Sequence, residues 1–153
     1  MPKQINESFE FENDSYCLIP DDRYLVNFIY YRTKFMLQGI PKIELWFEIC
    51  DENNNYNGLY IPKWYNCTEC KQPRENGNFK VGRRSNFSID FIRLFNYEIK
   101  RRDRAPMSYF KKHYYLIETE TVTTNFQQKK YPDQLKYSKV KQIIKAIELN
   151  PKP

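Results

Sequence analysis

The fold is decided by the stretch Ile43-Glu-Leu-Trp-Phe-Glu-Ile-Cys50, in which apolar residues alternate with polar or mixed ones. A period of two places successive side chains on opposite faces, as in a β-strand with one apolar and one mixed face. The next residues, Asp51–Gly58, form a polar turn with an Asn-Gly step that is typical of a hairpin. Leu59–Asn66 is therefore expected to return as the partner strand. Pro62 cannot donate a backbone hydrogen bond, so this strand should lie at an edge or carry a bulge.

Further strands and one helix are expected around this hairpin. Tyr24–Leu37 is rich in β-branched and aromatic residues, and His113–Thr124 alternates again, so both are predicted strands. Between them, Ser85 is placed to cap a helix that runs to about Asn96. Residues 125–136 are predicted to form a long loop. The apolar face of the predicted helix consists of Phe87, Phe91, Leu94 and Phe95.

The C-terminal segment, residues 138–149, admits two interpretations. The spacing of Val140, Ile143, Ile144 and Ile147 fits one face of a helix, and Ser138 could cap it. The same residues are also acceptable as a closing strand. The spacing favours the helix, and the strand remains the alternative.

Charge is distributed unevenly along the chain. Residues 1–58 carry 5 Lys or Arg against 10 Asp or Glu, and residues 59–153 carry 20 against 9. The basic residues concentrate on the two flanks of the predicted helix, among aromatic residues. Cations that neutralise phosphates give a salt-dependent affinity for nucleic acid, and aromatic rings stack on unpaired bases. The candidate nucleic-acid-binding residues are Lys80, Arg83, Arg84, Lys100, Arg101, Arg102, Arg104, Lys111, Trp46, Tyr60, Trp64 and Tyr65.

The charged and aromatic residues are also compatible with roles that involve no nucleic acid. The basic clusters could be a solvated face or could contact an acidic protein, and both tryptophans could belong to the core. Residues 1–20 are predicted to be a flexible acidic arm, followed by a single domain over residues 21–150. The acidic first third could bind the basic groove of a protein partner. The second functional hypothesis is therefore an inhibitor of a host nucleic-acid machine, such as an anti-CRISPR or another anti-defence protein.

Zinc is a weaker possibility. Cys67-Thr-Glu-Cys70 has the spacing with which two thiolates reach one Zn²⁺ ion. Cys50, Cys17 or His113 could complete a tetrahedral site, but the chain has no second Cys-x2-Cys pair. Free cysteines without a metal are the favoured interpretation, and no cofactor is expected.

No motif indicates catalysis. The chain has one histidine and lacks a P-loop, a Gly-x-Ser-x-Gly sequence and a dinucleotide-binding loop, so an enzyme is not expected. Glu118 and Glu120 could hold Mg²⁺ in a nuclease, but a charged solvent face accounts for them better. The chain also lacks an apolar run of about 18 residues and a signal peptide, which predicts a cytoplasmic protein with no membrane association.

The order of the predicted parts resembles an OB-fold barrel, in which a helix lies between the third and fourth strands. The stretches that carry the resemblance are Ile43–Ile49, Gly58–Asn66, Phe79–Phe87 and Arg101–Phe110, within residues 24–148. The chain looks like the small single-stranded-DNA-binding accessory proteins of phages and other mobile elements. The resemblance implies an α+β, mainly β fold with a five-stranded antiparallel barrel and an inserted helix. It also implies a binder that acts beside replication or recombination proteins and has no active site.

Overall fold

The computed structural model describes residues 7–11, 15–36, 39–100 and 103–149. Within these ranges one α-helix, α1 (Asn86–Phe95), lies between the third and fourth of five strands, and two short 3-10 helices precede the fourth and fifth. The prediction of a mainly β fold with an inserted helix is confirmed. Neither α1 nor the short helices of the described ranges are long and apolar enough to cross a membrane. The strands are β1 (Arg23–Phe35), β2 (Pro41–Ile49), β3 (Tyr60–Asn66), β4 (His113–Val122) and β5 (Tyr137–Glu148).

All five strands belong to one antiparallel sheet with the order β3-β2-β1-β4-β5. The central strand β1 pairs with β2 along residues 26–35 but with β4 only along residues 23–27. A loop segment after β3 covers the part of β1 that β4 leaves unpaired. There Thr33 donates to the carbonyl of Arg74 at 2.9 Å, and Asn76 donates to that of Tyr31 at 3.0 Å. β3 is an edge strand, as Pro62 predicted.

The outer strands β3 and β5 lie against each other but are not paired in the sheet. Side chains satisfy the carbonyl groups of β5 along this contact. Lys63 of β3 donates to the carbonyl of Lys141 at 3.2 Å, and Arg93 of α1 donates to those of Ile143 at 2.6 Å and Ile144 at 2.8 Å. The sheet is therefore not closed into a hydrogen-bonded barrel, and the predicted OB-like closure is not established by its pairing.

The inner face of the sheet and α1 form the core. The strands contribute fully buried side chains such as Phe47, Ile61 and Tyr115, and α1 adds Phe87 and Phe91. Burial of each large apolar side chain stabilises the fold by about 1.5–3 kcal/mol. The predicted cap of α1 is confirmed, since the Ser85 hydroxyl accepts a hydrogen bond from the Ser88 backbone at 3.2 Å.

The prediction of a helix over residues 138–149 is wrong, because this segment is strand β5. The register against β4 shifts twice, so Lys141 and Ile144 are extra residues in β5. Each bulge moves the next inward position by one residue. The inward positions are consequently Val140 and Ile143, three residues apart, which is a spacing that imitates a helix face.

The last residues of the predicted arm lie against the sheet. Ile19 is 3% exposed, and its backbone N–H donates to the hydroxyl of Ser138 in β5 at 2.9 Å. Tyr16 and Cys17 are half-buried. The packed part of the chain thus begins before residue 21, while residues 1–6 and 12–14 lie outside the described residues.

Replacing Arg93 by alanine tests the role of the side chains between β3 and β5. The variant R93A leaves two carbonyl groups of β5 without a charged donor, so we expect it to lower the free energy of unfolding by about 1–3 kcal/mol. Urea unfolding followed by circular dichroism measures this change. The exposed Arg84, which precedes the helix, is the matched control, and R84A should cost less than about 0.5 kcal/mol. Equal stability of the two variants would show that solvent replaces Arg93.

Candidate nucleic-acid interface

Glu44 is the centre of the outer face of β2, where it is 0% exposed. Its Oε1 atom accepts hydrogen bonds from Nε of Arg32 at 2.6 Å and from the indole of Trp46 at 2.7 Å. Its Oε2 atom accepts from Nζ of Lys34 at 2.7 Å and from the indole of Trp64 at 2.6 Å. The strand register accounts for this meeting, because Glu44 lies opposite Arg32 in β1 and Trp64 in β3.

The Glu44 carboxyl is ionised at neutral pH. Burial alone would raise its pKa, but the hydrogen bonds from Lys34, Trp64 and Arg32, together with the charge of Lys34, outweigh burial and hold the pKa below its ordinary value. Two cations surround this one anion, so the site keeps a positive charge. The carboxylate also fixes the orientation of both indole rings, since each ring donates its single N–H to it.

An aromatic cluster, which consists of Tyr16, Tyr30, Trp46, Trp64 and Tyr137, covers this carboxylate. Trp46 stacks against Tyr30 and Tyr16, with ring centroids 6.4 and 5.8 Å apart. Tyr16 also stacks on Tyr137 at 4.7 Å. Trp64 meets Tyr16 edge-on at 5.6 Å and Tyr137 at 6.2 Å. The cluster thus joins β1, β2, β3 and β5 to the segment before β1.

Lysines border the aromatic cluster. Lys34 Nζ lies 5.6 Å from the ring centroid of Trp64, within the range of a cation–π contact. Lys42 lies opposite Lys34 across β1 and β2. Burial and the nearby positive charge of Lys139 lower the pKa of Lys42. Lys34, Lys42 and Lys139 form a cationic border beside the aromatic rings. Glu44 pairs with Lys34 and Glu120 with Lys139, so the excess positive charge that suits an anionic ligand comes from Lys42 and Arg32.

A shallow cleft of about 390 Å³ continues the cationic border along β1. The loop segment that covers β1 forms its other wall, and Arg74 of that segment is exposed. On the other side of the cluster, the loop between β4 and β5 brings Tyr131 to 6.3 Å from Tyr137 and carries the exposed Lys129 and Lys130. The residues that line the cleft are Tyr30, Arg32, Thr33, Lys34, Pro73, Arg74 and Glu75.

Three of the four predicted aromatic residues lie on this outer face. Tyr60 is exposed, Trp64 is half-buried and Trp46 is only 3% exposed. Tyr65 instead points into the core, where it is 4% exposed and donates to Asp90 at 2.6 Å. Burial and the Asp90 carboxylate raise its pKa far above the ordinary value. A stacking role for Tyr65 therefore does not fit its position.

The predicted basic residues flank α1. Within the part of the chain that the structure describes, they do not contact the aromatic cluster. Because α1 has ten residues, its two ends are about 15 Å apart. Its aromatic residues pack into the core on the inner side of the sheet, whereas the cluster lies on the outer side. Arg101 and Arg102 lie outside the described residues. Of the predicted basic residues, Lys80, Arg83 and Arg84 are exposed before α1, and Lys100, Arg104 and Lys111 are exposed after it.

Arg32, Lys34 and Tyr30 were not among the predicted site residues, although they occupy alternate positions of β1 on the face of Glu44. This period of two was a usable signal, because pairing β1 with β2 places their mixed faces side by side. Tyr16 and Tyr137 had no such signal. Their position depends on packing between distant segments of the chain.

The predicted zinc ligands do not come together as a set. Cys67 and Cys70 are both buried, and burial together with the neighbouring Cys70 thiol raises the pKa of Cys67 to about 11. Cys50 lies at the end of β2, and Nδ1 of His113 lies 3.0 Å from the Tyr109 carbonyl. In the described part of the chain, no three His, Cys, Asp or Glu residues are grouped to hold a metal ion.

The carboxylates that suggested a nuclease have other partners. Glu118 accepts a hydrogen bond from Gln142 at 2.6 Å, and Glu120 lies 3.3 Å from the ammonium group of Lys139. Both contacts join β4 to β5. These contacts fit the charged strand face that the sequence pattern favours.

Replacing Glu44 by glutamine tests the buried carboxylate. The variant E44Q replaces the anion beside Arg32 and Lys34 with a neutral amide. We expect it to lower the free energy of unfolding by about 2–4 kcal/mol at neutral pH. A lowered folded-state pKa gives stability that is complete above the ordinary carboxyl pKa and lost as the pH falls through the folded value. The difference between wild type and E44Q should therefore narrow in acid. Urea unfolding at a series of pH values measures it.

Glu48 is the matched control, because it lies on the same face of β2 and is half-buried. E48Q should change the stability by less than about 0.5 kcal/mol. A constant penalty for E44Q at all pH values would contradict the ionised state of Glu44.

Comparisons with known proteins return no similarity: no family model matches the chain, and no curated protein or solved structure is similar to it. The geometry of the outer face is therefore the basis for assigning a function.

Proposed function

We propose that this chain binds single-stranded nucleic acid on the outer face of β1, β2 and β3. The observation that carries the proposal is the aromatic cluster bordered by cations, in which Lys34 contacts the ring of Trp64. Aromatic rings stack on unpaired bases of any sequence, and neighbouring cations neutralise the backbone phosphates. Bases inside a duplex cannot present their faces in this way, so single strands are the preferred ligand.

An OB-like architecture supports this proposal. The strand order, the helix between β3 and β4, and the contact of β3 with β5 fit a partly open five-stranded barrel. OB folds bind oligonucleotides on the face of the second and third strands and through the β1–β2 and β4–β5 loops. Trp46 and Trp64 belong to that face here, and the β4–β5 loop contributes Tyr131.

This proposal places the centre of binding on the outer face of the sheet, whereas the sequence pattern predicts it at the flanks of α1. The basic residues near α1 then attract the polyanion at longer range. A role beside replication or recombination proteins of a phage or mobile element is what the resemblance implies for such a binder.

An inhibitor of a host nucleic-acid machine is the second candidate. Its supporting observation is the segment 7–11, in which Phe9 and Phe11 are 79% and 83% exposed and stand next to acidic residues. Exposed aromatic and acidic side chains together suit a basic protein surface. A binder retains nucleic acid on purification and shows raised absorbance at 260 nm, whereas an inhibitor forms a stoichiometric complex with a protein.

Removing the Trp64 ring tests the binding face. We expect W64A to weaken binding of a labelled oligothymidine about ten-fold or more, because stacking contributes about 1–3 kcal/mol per base. Fluorescence anisotropy at low salt, with a duplex competitor, measures the affinity. Tyr114 is the matched control, since it is an exposed aromatic residue on β4, and Y114A should bind as the wild type does. Equal affinities of folded W64A and Y114A would show that the outer face of β1, β2 and β3 is not the binding face.

The salt dependence of binding locates the phosphate contacts. Replacing both Lys42 and Arg74 by alanine should reduce the slope of log K against the logarithm of the salt concentration by about 1–2. Each phosphate contact contributes about 0.7 to 0.9 to this slope. The variant that lacks Arg83, Arg84 and Arg104 is the comparison and should keep most of the slope. If this second variant loses the greater part of the slope, the centre of binding lies around α1.

A further inference from the structure

Tyr16 occupies the middle of the aromatic cluster. Its ring lies nearly parallel to Trp46, with an interplanar angle of 12°, and to Tyr137, with an angle of 20°. The centroid distances of 5.8 and 4.7 Å are within the range of about 4.5–7 Å for aromatic stacking. Trp64 closes the side of this space at 80° to the Tyr16 ring. The space between Trp46 and Tyr137 is therefore a slot that holds one flat ring.

The presence of Tyr16 conflicts with a direct stacking role for Trp46. Tyr16 and Tyr30 both stack against Trp46, and the indole is only 3% exposed as a result. A base can reach Trp46 only after one of these rings moves. Tyr30 belongs to the paired part of β1, so its movement would disturb the sheet. Tyr16 precedes β1 and lies outside every strand.

The backbone on the C-terminal side of Tyr16 is fastened to β5. Ile19 is buried and exchanges two hydrogen bonds with the Ser138 hydroxyl, at 2.9 and 3.1 Å. The Ser138 backbone also donates to the Cys17 carbonyl at 2.7 Å. Ser15 is exposed. A movement of the chain before Cys17 would remove the Tyr16 ring from the slot while the sheet and these hydrogen bonds stay in place.

We infer that the slot between Trp46 and Tyr137 is a binding site for one nucleobase and that Tyr16 is the internal ring which the base displaces. This inference rests on the proposed function and assigns its central subsite. Lys34 Nζ lies 3.5 Å from the Tyr16 hydroxyl and marks the edge of the slot. Because an ammonium group only donates hydrogen bonds, it favours a base that presents an acceptor at that edge, such as a carbonyl oxygen of thymine, uracil or guanine.

The chain that precedes Tyr16 is acidic as well as aromatic. Within the described residues, Glu7 and Glu10 precede Tyr16 in the sequence. These charges are tethered to a cationic face, so the segment competes with nucleic acid at a high effective concentration. Intramolecular competition lowers the apparent affinity by the fraction of molecules in which the slot is open.

The variant Y16A tests the slot. We expect it to bind labelled oligothymidine about ten-fold more tightly than the wild type, because the base no longer has to displace a ring. Y16F retains the ring and should bind as the wild type does, and Y114A is the control for a general loss of a tyrosine. Unchanged or weaker binding by Y16A would overturn the inference.

Two further measurements separate the failure of the slot from the failure of the proposed function. If neither the wild type nor Y16A binds any oligonucleotide at low salt, the proposed function fails. If the wild type binds and Y16A gains nothing, only the slot is refuted. Photocrosslinking of the wild type to an oligonucleotide with 5-iodouracil covers the case in which Y16A is poorly folded. Crosslinks to Trp46 or Tyr137 support the slot, and crosslinks confined to the flanks of α1 contradict it.

Discussion

The buried carboxylate of Glu44 holds the outer face of the sheet together. It binds Arg32 and Lys34 of β1, Trp46 of its own strand and Trp64 of β3. A carboxylate without partners would be costly to bury, so its presence requires all four donors in place. The aromatic cluster stacks around the two indoles that this carboxylate orients. The shape of the candidate binding face therefore follows from one ionised side chain.

This constraint also specifies the strand register. A slip of one residue between β1 and β2 would move Glu44 to the core face, where Leu45 and Phe47 now lie, and would expose those apolar residues. Placing Glu44 in the core and exposing Leu45 and Phe47 would each raise the free energy of the slipped structure, so both disfavour the slip. The apolar face and the charged face thus select the same register.

Much of the fold could be predicted from local patterns. The alternation in Ile43–Ile49, the Asn-Gly turn and the Ser85 cap are each set by interactions within a few residues, and the structure has all three. The helix expected over residues 138–149 was wrong because two bulges change the period of β5, and a bulge depends on the partner strand. Tyr65 was misplaced for a related reason, since neighbours on one strand face opposite sides and only the tertiary structure decides which side is open.

The candidate site was harder to predict because its cations are spread over several strands. The charge runs near α1 are conspicuous in the sequence, but they lie in connecting segments. The cations around the aromatic cluster come from β1, β2 and β5 and meet only when the sheet forms. Glu44 neutralises part of their charge, so this face depends more on stacking than on electrostatic attraction. The segments around α1 carry the larger net positive charge in the sequence. The residues around α1 would therefore act mainly on the rate at which a ligand approaches, whereas Lys42, Arg74 and the stacked rings hold the bound strand, which makes the association rate and the affinity separable properties of the same chain.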